Sequence, residues 1–301
     1  LLCLAVAVIL NIFLDILFVH TFSMGLCGAA HATNIAQCIA GVLCMAYLLL
    51  KFRELVPKGQ EWQVERRKYQ EMTIFGISLG MMSCFVSIGT VIFQTAVNRL
   101  GTKIVTAHIA ARRIEELTNV PMLCTGMAMT TYASQNLGAG EYDRIKNGIQ
   151  QAFVIVLVQG VIFTTFCWIF GHPLIRWITS SNDTYILNTA YRYLTRNTSF
   201  YFVLGPLFVL RCSLQGLEHK VIPVASSILE LVLKIVSTIW IVPVLGYTGV
   251  IYTEPIIWIF MTLMLIGGYV RALKQINEAE HIKSARNAKA ENEKINVDNR
   301  L

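Results

Sequence analysis

Apolar runs of about 20 residues, each long enough to cross the hydrocarbon core of a bilayer, recur along the whole chain and restrict its fold more tightly than any other feature. They give about eight helices, at 1–18, 29–51, 73–97, 104–136, 146–170, 186–215, 221–243 and 248–271. Backbone in hydrocarbon must satisfy its own hydrogen bonds, so these runs predict an all-α integral membrane protein. Charge content agrees: 14% of residues are Asp, Glu, Lys or Arg, against about 25% in soluble domains, which excludes a soluble globular domain. The net charge of +7 does not point to nucleic acid. Its basic residues gather between apolar runs and near the C-terminal end instead of lining one face.

The connections differ in their basic residues. Residues 52–72 hold Arg53, Lys58, Arg66, Arg67 and Lys68, 137–145 holds Arg144, and the stretch after 271 holds Lys274, Lys283, Arg286, Lys289, Lys294 and Arg300. The alternate connections 19–28 and 244–247 hold no Lys or Arg, 98–103 holds Arg99 and Lys103, and 171–185 holds Arg176. The positive-inside bias therefore makes 52–72 and the C-terminal end cytoplasmic, in a multi-pass protein of the plasma (inner) membrane. From about Asn277 the sequence mixes Glu, Lys, Asn and Ala without apolar periodicity, and a solvated, frayed end is expected there. No initiator Met, charged leader or cleavage site precedes Leu1, so the chain is expected to begin part-way through a longer protein.

Internal symmetry gives that expectation a size. Gly25, Gly28 and Thr33 in the first hairpin recur as Gly246, Gly249 and Glu254 in the last, and all three pairs are 221 residues apart. A unit of that length starts near Glu71 and asks for about four more helices upstream, making two bundles of six related by an axis along the membrane normal. Many secondary transporters follow that plan. On it, 1–52 is the end of an N-terminal lobe, 53–72 an inter-lobe linker, 73–271 a six-helix C-terminal lobe and 272–301 a cytoplasmic charged tail.

Polar residues inside such helices are costly and draw a functional reading. Asn11 and Asp15 lie four apart in an otherwise apolar run, hence on one helix face, and Thr33 enters the next helix at similar depth. Hard cations take oxygen ligands, and burial disfavours a bare carboxylate, so Na⁺ or H⁺ can neutralise Asp15. The alternative is an interfacial Asp that meets water. The fourth run carries Arg112, Arg113, Glu115 and Glu116 near its middle, with His108 a turn earlier. Spacing pairs Arg112 or Arg113 with Glu116 inside the helix, and a packing role stands at even odds with a transport role. Glu230 and Lys234 form a similar i,i+4 pair. Glu254 has no basic residue within four positions and precedes Pro255, which frees a backbone carbonyl. It is read as an unpaired acid, for a second cation or a substrate charge. Gln94, Asn98, Gln159, Arg211 and Gln215 are expected to join neighbouring helices. The eight cysteines show no metal or disulfide spacing, and no nucleotide-binding or nucleophile motif is present, which argues against an enzyme.

Several segments resemble the MATE (multidrug and toxic compound extrusion) transporters: Asn11-Ile-Phe-Leu-Asp15-Ile-Leu-Phe, the hairpin from Gly25 to Gln37, Arg113-Ile-Glu115, Ser134-Gln-Asn-Leu-Gly138-Ala-Gly140 and Leu214-Gln-Gly216. Against that family's twelve helices the chain resembles the fifth to the twelfth. The resemblance implies a two-lobe cation-coupled antiporter with a central cavity open alternately to either side. It also implies that Asp15, Asn11 and Thr33 belong to the first lobe's cation site. The third run, from Met72 to Asn98, lacks the intramembrane acid of the NorM-type branch, so the sequence looks more like the DinF-type branch.

Together these readings give a monomeric efflux antiporter for amphipathic, cationic small molecules in the lipid bilayer. It needs no cofactor beyond a coupling Na⁺ or H⁺ at Asp15, and a second polar site falls at Glu254, Glu115, Glu116 and Arg113. The rivals are a flippase for lipid-linked saccharide or cell-wall precursors and a receptor that binds without transporting. The flippase is disfavoured because each intramembrane Arg or Lys has an acid one turn away.

Overall fold

A computed structural model describes residues 2–56, 59 and 65–298, with side chains at all of these except 2, 55 and 279–298. Lys58 and Arg300, used for the charge bias, lie outside the described residues, as do the side chains of Lys283, Arg286, Lys289 and Lys294. Every regular element among the described residues is helical, as a chain that must close its own backbone bonds in lipid requires. The described residues divide into two compact units, Leu1–Glu71 and Met72–Leu301.

In the first unit, α1 (Leu2–Asp15) runs into a π turn (Ile16–Thr21) before α2 (Gly25–Lys51). Gly28, Ala32, Ala36 and Ala40 make a buried stripe along α2. Small residues four apart let two backbones approach in a lipid environment, where apolar burial alone gives helices no reason to associate.

The second unit holds α3 (Arg66–Asn98), α4 (Thr102–Ala139), α5 (Tyr142–Thr179), α6 (Thr184–Thr198), α7 (Tyr201–Gly216), α8 (Val221–Val236), α9 (Val242–Leu245) and α10 (Tyr247–Asp298). A second π turn, Ser237–Ile241, joins α8 to α9. Helix α4 is the centre of the unit and packs against α5, α6 and α7. Its Ala107, Ala110, Ala111 and Ala133 are buried, which leaves room for large partners such as Tyr193 and Tyr201.

Six helices are long and apolar enough to cross a membrane: Cys3–Thr21, Gly25–Lys51, Arg66–Asn98, Tyr142–Thr179, Val221–Leu245 and Tyr247–Glu278. The other two of the expected eight are α4, which carries the Arg-Arg-Ile-Glu-Glu run, and the 186–215 stretch. That stretch is two helices, broken at Ser199 and Phe200. Ser199 Oγ donates to the Thr195 carbonyl at 2.7 Å and Thr198 Oγ1 to the same oxygen at 3.4 Å. Asn197 Nδ2 reaches across to the Ile251 carbonyl at 3.3 Å. Side chains that bond local backbone compete with the helical ladder, and Pro206 withholds one further donor. The frayed end expected after Asn277 is also corrected, because α10 continues to Asp298. Its Ala, Glu, Lys and Arg are strong helix formers, and no Gly or Pro interrupts them.

The 221-residue offset has a structural counterpart. The π turns begin at Ile16 and Ser237, residues that offset apart. Gly25 and Gly246 share a left-handed backbone, φ +55° and +57°. A Cβ on Gly28 would lie 3.1 Å from the backbone of Phe18, and one on Gly249 would lie 3.1 Å from the Ile241 carbonyl oxygen. Both hairpins therefore use one glycine for conformation and the next for clearance. Thr33 and Glu254 stand at matching places after them.

Candidate functional site

Polar side chains gather at one place in each unit. In the first, Asn11 Nδ2 on α1 donates to Thr33 Oγ1 on α2 at 3.4 Å, and Thr33 Oγ1 donates to the Ala29 carbonyl at 3.0 Å. Asp15 closes α1 one turn after Asn11, and its Oδ1 is buried without a hydrogen-bond partner. The hairpin places these residues together because the stripe of small residues brings α2 against α1. The cluster offers oxygen atoms and an uncompensated carboxylate, a set suited to a proton or a hard cation.

In the second unit, six charged side chains from four helices form an alternating chain. Arg112 Nη1 on α4 lies 3.2 Å from Glu115 Oε2 and 3.8 Å from Glu254 Oε1 on α10. The same Glu254 oxygen is 3.6 Å from Lys234 Nζ on α8, which is 2.9 Å from Glu230 Oε1. Glu230 Oε2 is 4.0 Å from Arg211 Nη1 on α7. Arg211 also donates to Ser227 Oγ, and Lys234 donates to Thr90 Oγ1 on α3 at 3.3 Å. Three acids and three bases alternate, so the string carries no net charge. Each buried charge thereby recovers part of the several kcal/mol lost on leaving water.

The Glu115 end is enclosed by aromatic and polar groups. Tyr193 Oη on α6 donates to Glu115 Oε2 at 3.1 Å. The Thr118 and Tyr201 hydroxyls lie 2.7 Å apart. His108 meets the Tyr193 ring edge-on at 4.9 Å, and its Nδ1 is 3.5 Å from the Tyr247 hydroxyl.

This geometry rearranges the pairing expected from spacing. Glu254 is not unpaired: two bases on other helices reach it. Arg112 binds Glu115 and Glu254, not Glu116. Glu116 pairs with Arg113 at 3.6 Å, with side chains 56% and 72% exposed, so both point away from the buried string. A helix turns each residue by about 100°, and Arg112 and Glu115 face inward together while Arg113 and Glu116 face outward together. Arg211 and Lys234 enter as functional candidates that one-helix spacing assigned to packing. The signal for Lys234 was its place four residues after Glu230. Arg211 offered none beyond being a charge in an apolar run. Among the other expected inter-helix links, Gln159 joins Thr125 at 3.3 Å and Gln215 joins the Met82 sulfur at 3.8 Å, while Gln94 and Asn98 bond each other along α3. No group of three or more His, Cys, Asp or Glu suited to a metal ion occurs among the described residues.

Comparison with known proteins adds an independent line. A family model described as MatE matches residues 79–240. The "Probable multidrug resistance protein YpnP" of Bacillus subtilis is 26% identical over 241 residues, covering 79% of this chain and 51% of that protein. The chain thus spans about half the length of the curated relatives it matches. Among solved structures, "Crystal structure of MATE in complex with MaL6" aligns over 93% of this chain and 63% of its own, with TM-score 0.81 and 20% identity. "Outward-facing conformation of a multidrug resistance MATE family transporter of the MOP superfamily" aligns over 93% and 62%, with TM-score 0.78 and 20% identity. At that identity the structural likeness shows the fold.

Proposed function

With its family match covering more than half its length, the chain belongs to the MATE family, and on that footing we propose that the complete protein expels amphipathic, cationic compounds by antiport against Na⁺ or H⁺. The family and its apolar helices make it a multi-pass membrane protein. A relative named for multidrug resistance supports efflux of drug-like compounds. The chain is read as a monomer in the plasma (inner) membrane with its C-terminal end in the cytoplasm, supported by Arg66, Arg67 and Lys68 at the start of α3.

The observation that carries coupling is the cluster in the first unit, where Asp15 Oδ1 is buried without a hydrogen-bond partner beside the bonded Asn11 and Thr33. Binding of the coupling ion neutralises Asp15, and it drives transport only through its different affinity for the two access states. The flippase reading is weaker, since an anionic lipid needs free cations, and Arg112, Lys234 and Arg211 each lie within 4.0 Å of an acid.

The test is dye efflux from energised vesicles containing the complete protein, with a Na⁺ gradient or a pH gradient imposed separately. Asp15→Asn is expected to lose efflux to background while inserting normally. Efflux at wild-type rates in that variant overturns the coupling role of Asp15. Wild-type protein that inserts but moves no dye under either gradient overturns antiport.

A further inference from the structure

Resting on the antiport reading, we propose that Glu115 in the second unit is a separate proton-binding site, and that its protonation sets the charge met there by a cationic cargo. The argument starts from the order of the ionic string. Glu254 has two cations within 4.0 Å, Lys234 and Arg112, and so has Glu230, with Lys234 and Arg211. Glu115 stands at the acidic terminus with Arg112 alone. It is also the most deeply buried acid of the three, at 0% exposure, and its Oε1 has no hydrogen-bond partner among the described residues. A proton added to Oε1 is therefore the neutralisation that disturbs the fewest existing contacts.

The surroundings favour a proton over a metal ion. The titratable groups facing Glu115 are Arg112 and His108 on α4, Cys167 on α5, Tyr193 on α6, Tyr201 on α7, and Tyr247 and Glu254 on α10. A hard cation collects several oxygen ligands, whereas the Arg112 guanidinium already occupies the near side at 3.2 Å. A proton brings no second charge centre beside Arg112. It converts the carboxylate to a neutral acid, its water carrier leaves, and no other bond breaks.

The consequence for cargo follows from charge. With Glu115 ionised the six-membered string sums to zero; with Glu115 protonated it sums to one positive charge, and Arg112 keeps Glu254 as its only acid. Arg112 is the member that reaches furthest out of the packed interior, its side chain 30% exposed. A cation approaching that edge is repelled in the protonated state and tolerated in the ionised one. Proton and cationic cargo then exclude each other, which is the linkage an exchanger needs.

Two measurements on the complete purified protein test this. Infrared difference spectra recorded through a pH titration follow protonated carboxyl groups directly. A band from a buried carboxylic acid is expected in wild type and in Asp15→Asn, and its loss is expected in Glu115→Gln. Proton release on adding ethidium in weak buffer is expected to fall to about half the wild-type value in Glu115→Gln, Asp15 carrying the remainder. If Glu115→Gln inserts poorly, Arg112→Gln/Glu115→Gln removes both charges and keeps the string neutral, and it must lose the same band. A Glu115→Gln spectrum identical to wild type overturns the proposal. So does unchanged proton release in a variant that still binds ethidium. The infrared band needs no transport, so an intact band in a protein that moves no cation removes the antiport reading and leaves the proton site standing.

Discussion

Lys103 and Asp183 are 80 residues apart in sequence, yet Lys103 Nζ donates to Asp183 Oδ2 at 2.8 Å, tying the start of α4 to the start of α6. Asp183 also caps α6, its Oδ1 accepting from the Tyr185 N–H at 2.9 Å. The Lys103 hydrogen bond, with the Tyr185 amide, holds the Asp183 carboxyl below the usual carboxylate range, and the same contact holds Lys103 above its ordinary value. The sign is therefore fixed for the acid limb. The contact contributes fully above the ordinary aspartate pKa of about 3.9 and is lost as pH falls through the depressed value. Thermal unfolding in detergent from neutral pH down to about pH 3 is expected to show a steeper acid loss in wild type than in Asp183→Asn. Equal slopes would mean the contact contributes nothing, as many exposed pairs do. In sequence, Asp183 was visible only inside the Asn182-Asp183-Thr184 glycosylation pattern, and nothing local announces a partner so distant. The same limit hid the partners of Glu254. Spacing reports neighbours along one helix, and all the bases that reach Glu254 come from others.

At the level of elements, the apolar runs were legible because burial in lipid demands them, and both glycine hairpins were legible because their spacing repeats. The π turns were not, since a turn widened by one residue leaves an apolar run looking the same. The break at Ser199 and Phe200 also escaped, being made by side-chain hydroxyls bonding backbone within a continuous apolar stretch. The paired hairpins predict paired behaviour. Alanine at Gly28 or at Gly249 places a Cβ 3.0–3.1 Å from its nearest neighbours, backbone atoms among them in both cases. Each substitution should therefore cost about 1–3 kcal/mol through forced displacement. Melting temperatures of the two variants in detergent should fall by similar amounts. A fall in one alone would show that the hairpins carry different loads despite their matching geometry.

Across the whole molecule, family membership was readable from short motifs scattered from Asn11 to Gly216, whereas the ionic string, spanning Thr90 to Glu254, exists only once α3, α4, α7, α8 and α10 are assembled. Its energetics are those of a shared account of charge. Replacing Lys234 with Met leaves Glu230 and Glu254 each short of a cation, which should destabilise by about 3–5 kcal/mol. Adding Glu254→Gln restores neutrality and should recover a large part of that loss in chemical unfolding of the complete protein. Recovery no greater from Glu254→Gln than from exposed Glu116→Gln would refute this. Genetics should register the alternation as well. Sequences can leave this arrangement only by paired steps, so a population carrying one broken link has few routes back. Suppressors of Lys234→Met should concentrate at Glu230 and Glu254, and those of Arg211→Met at Glu230. A map of second-site revertants would thus trace, link by link, a string of contacts drawn from five helices.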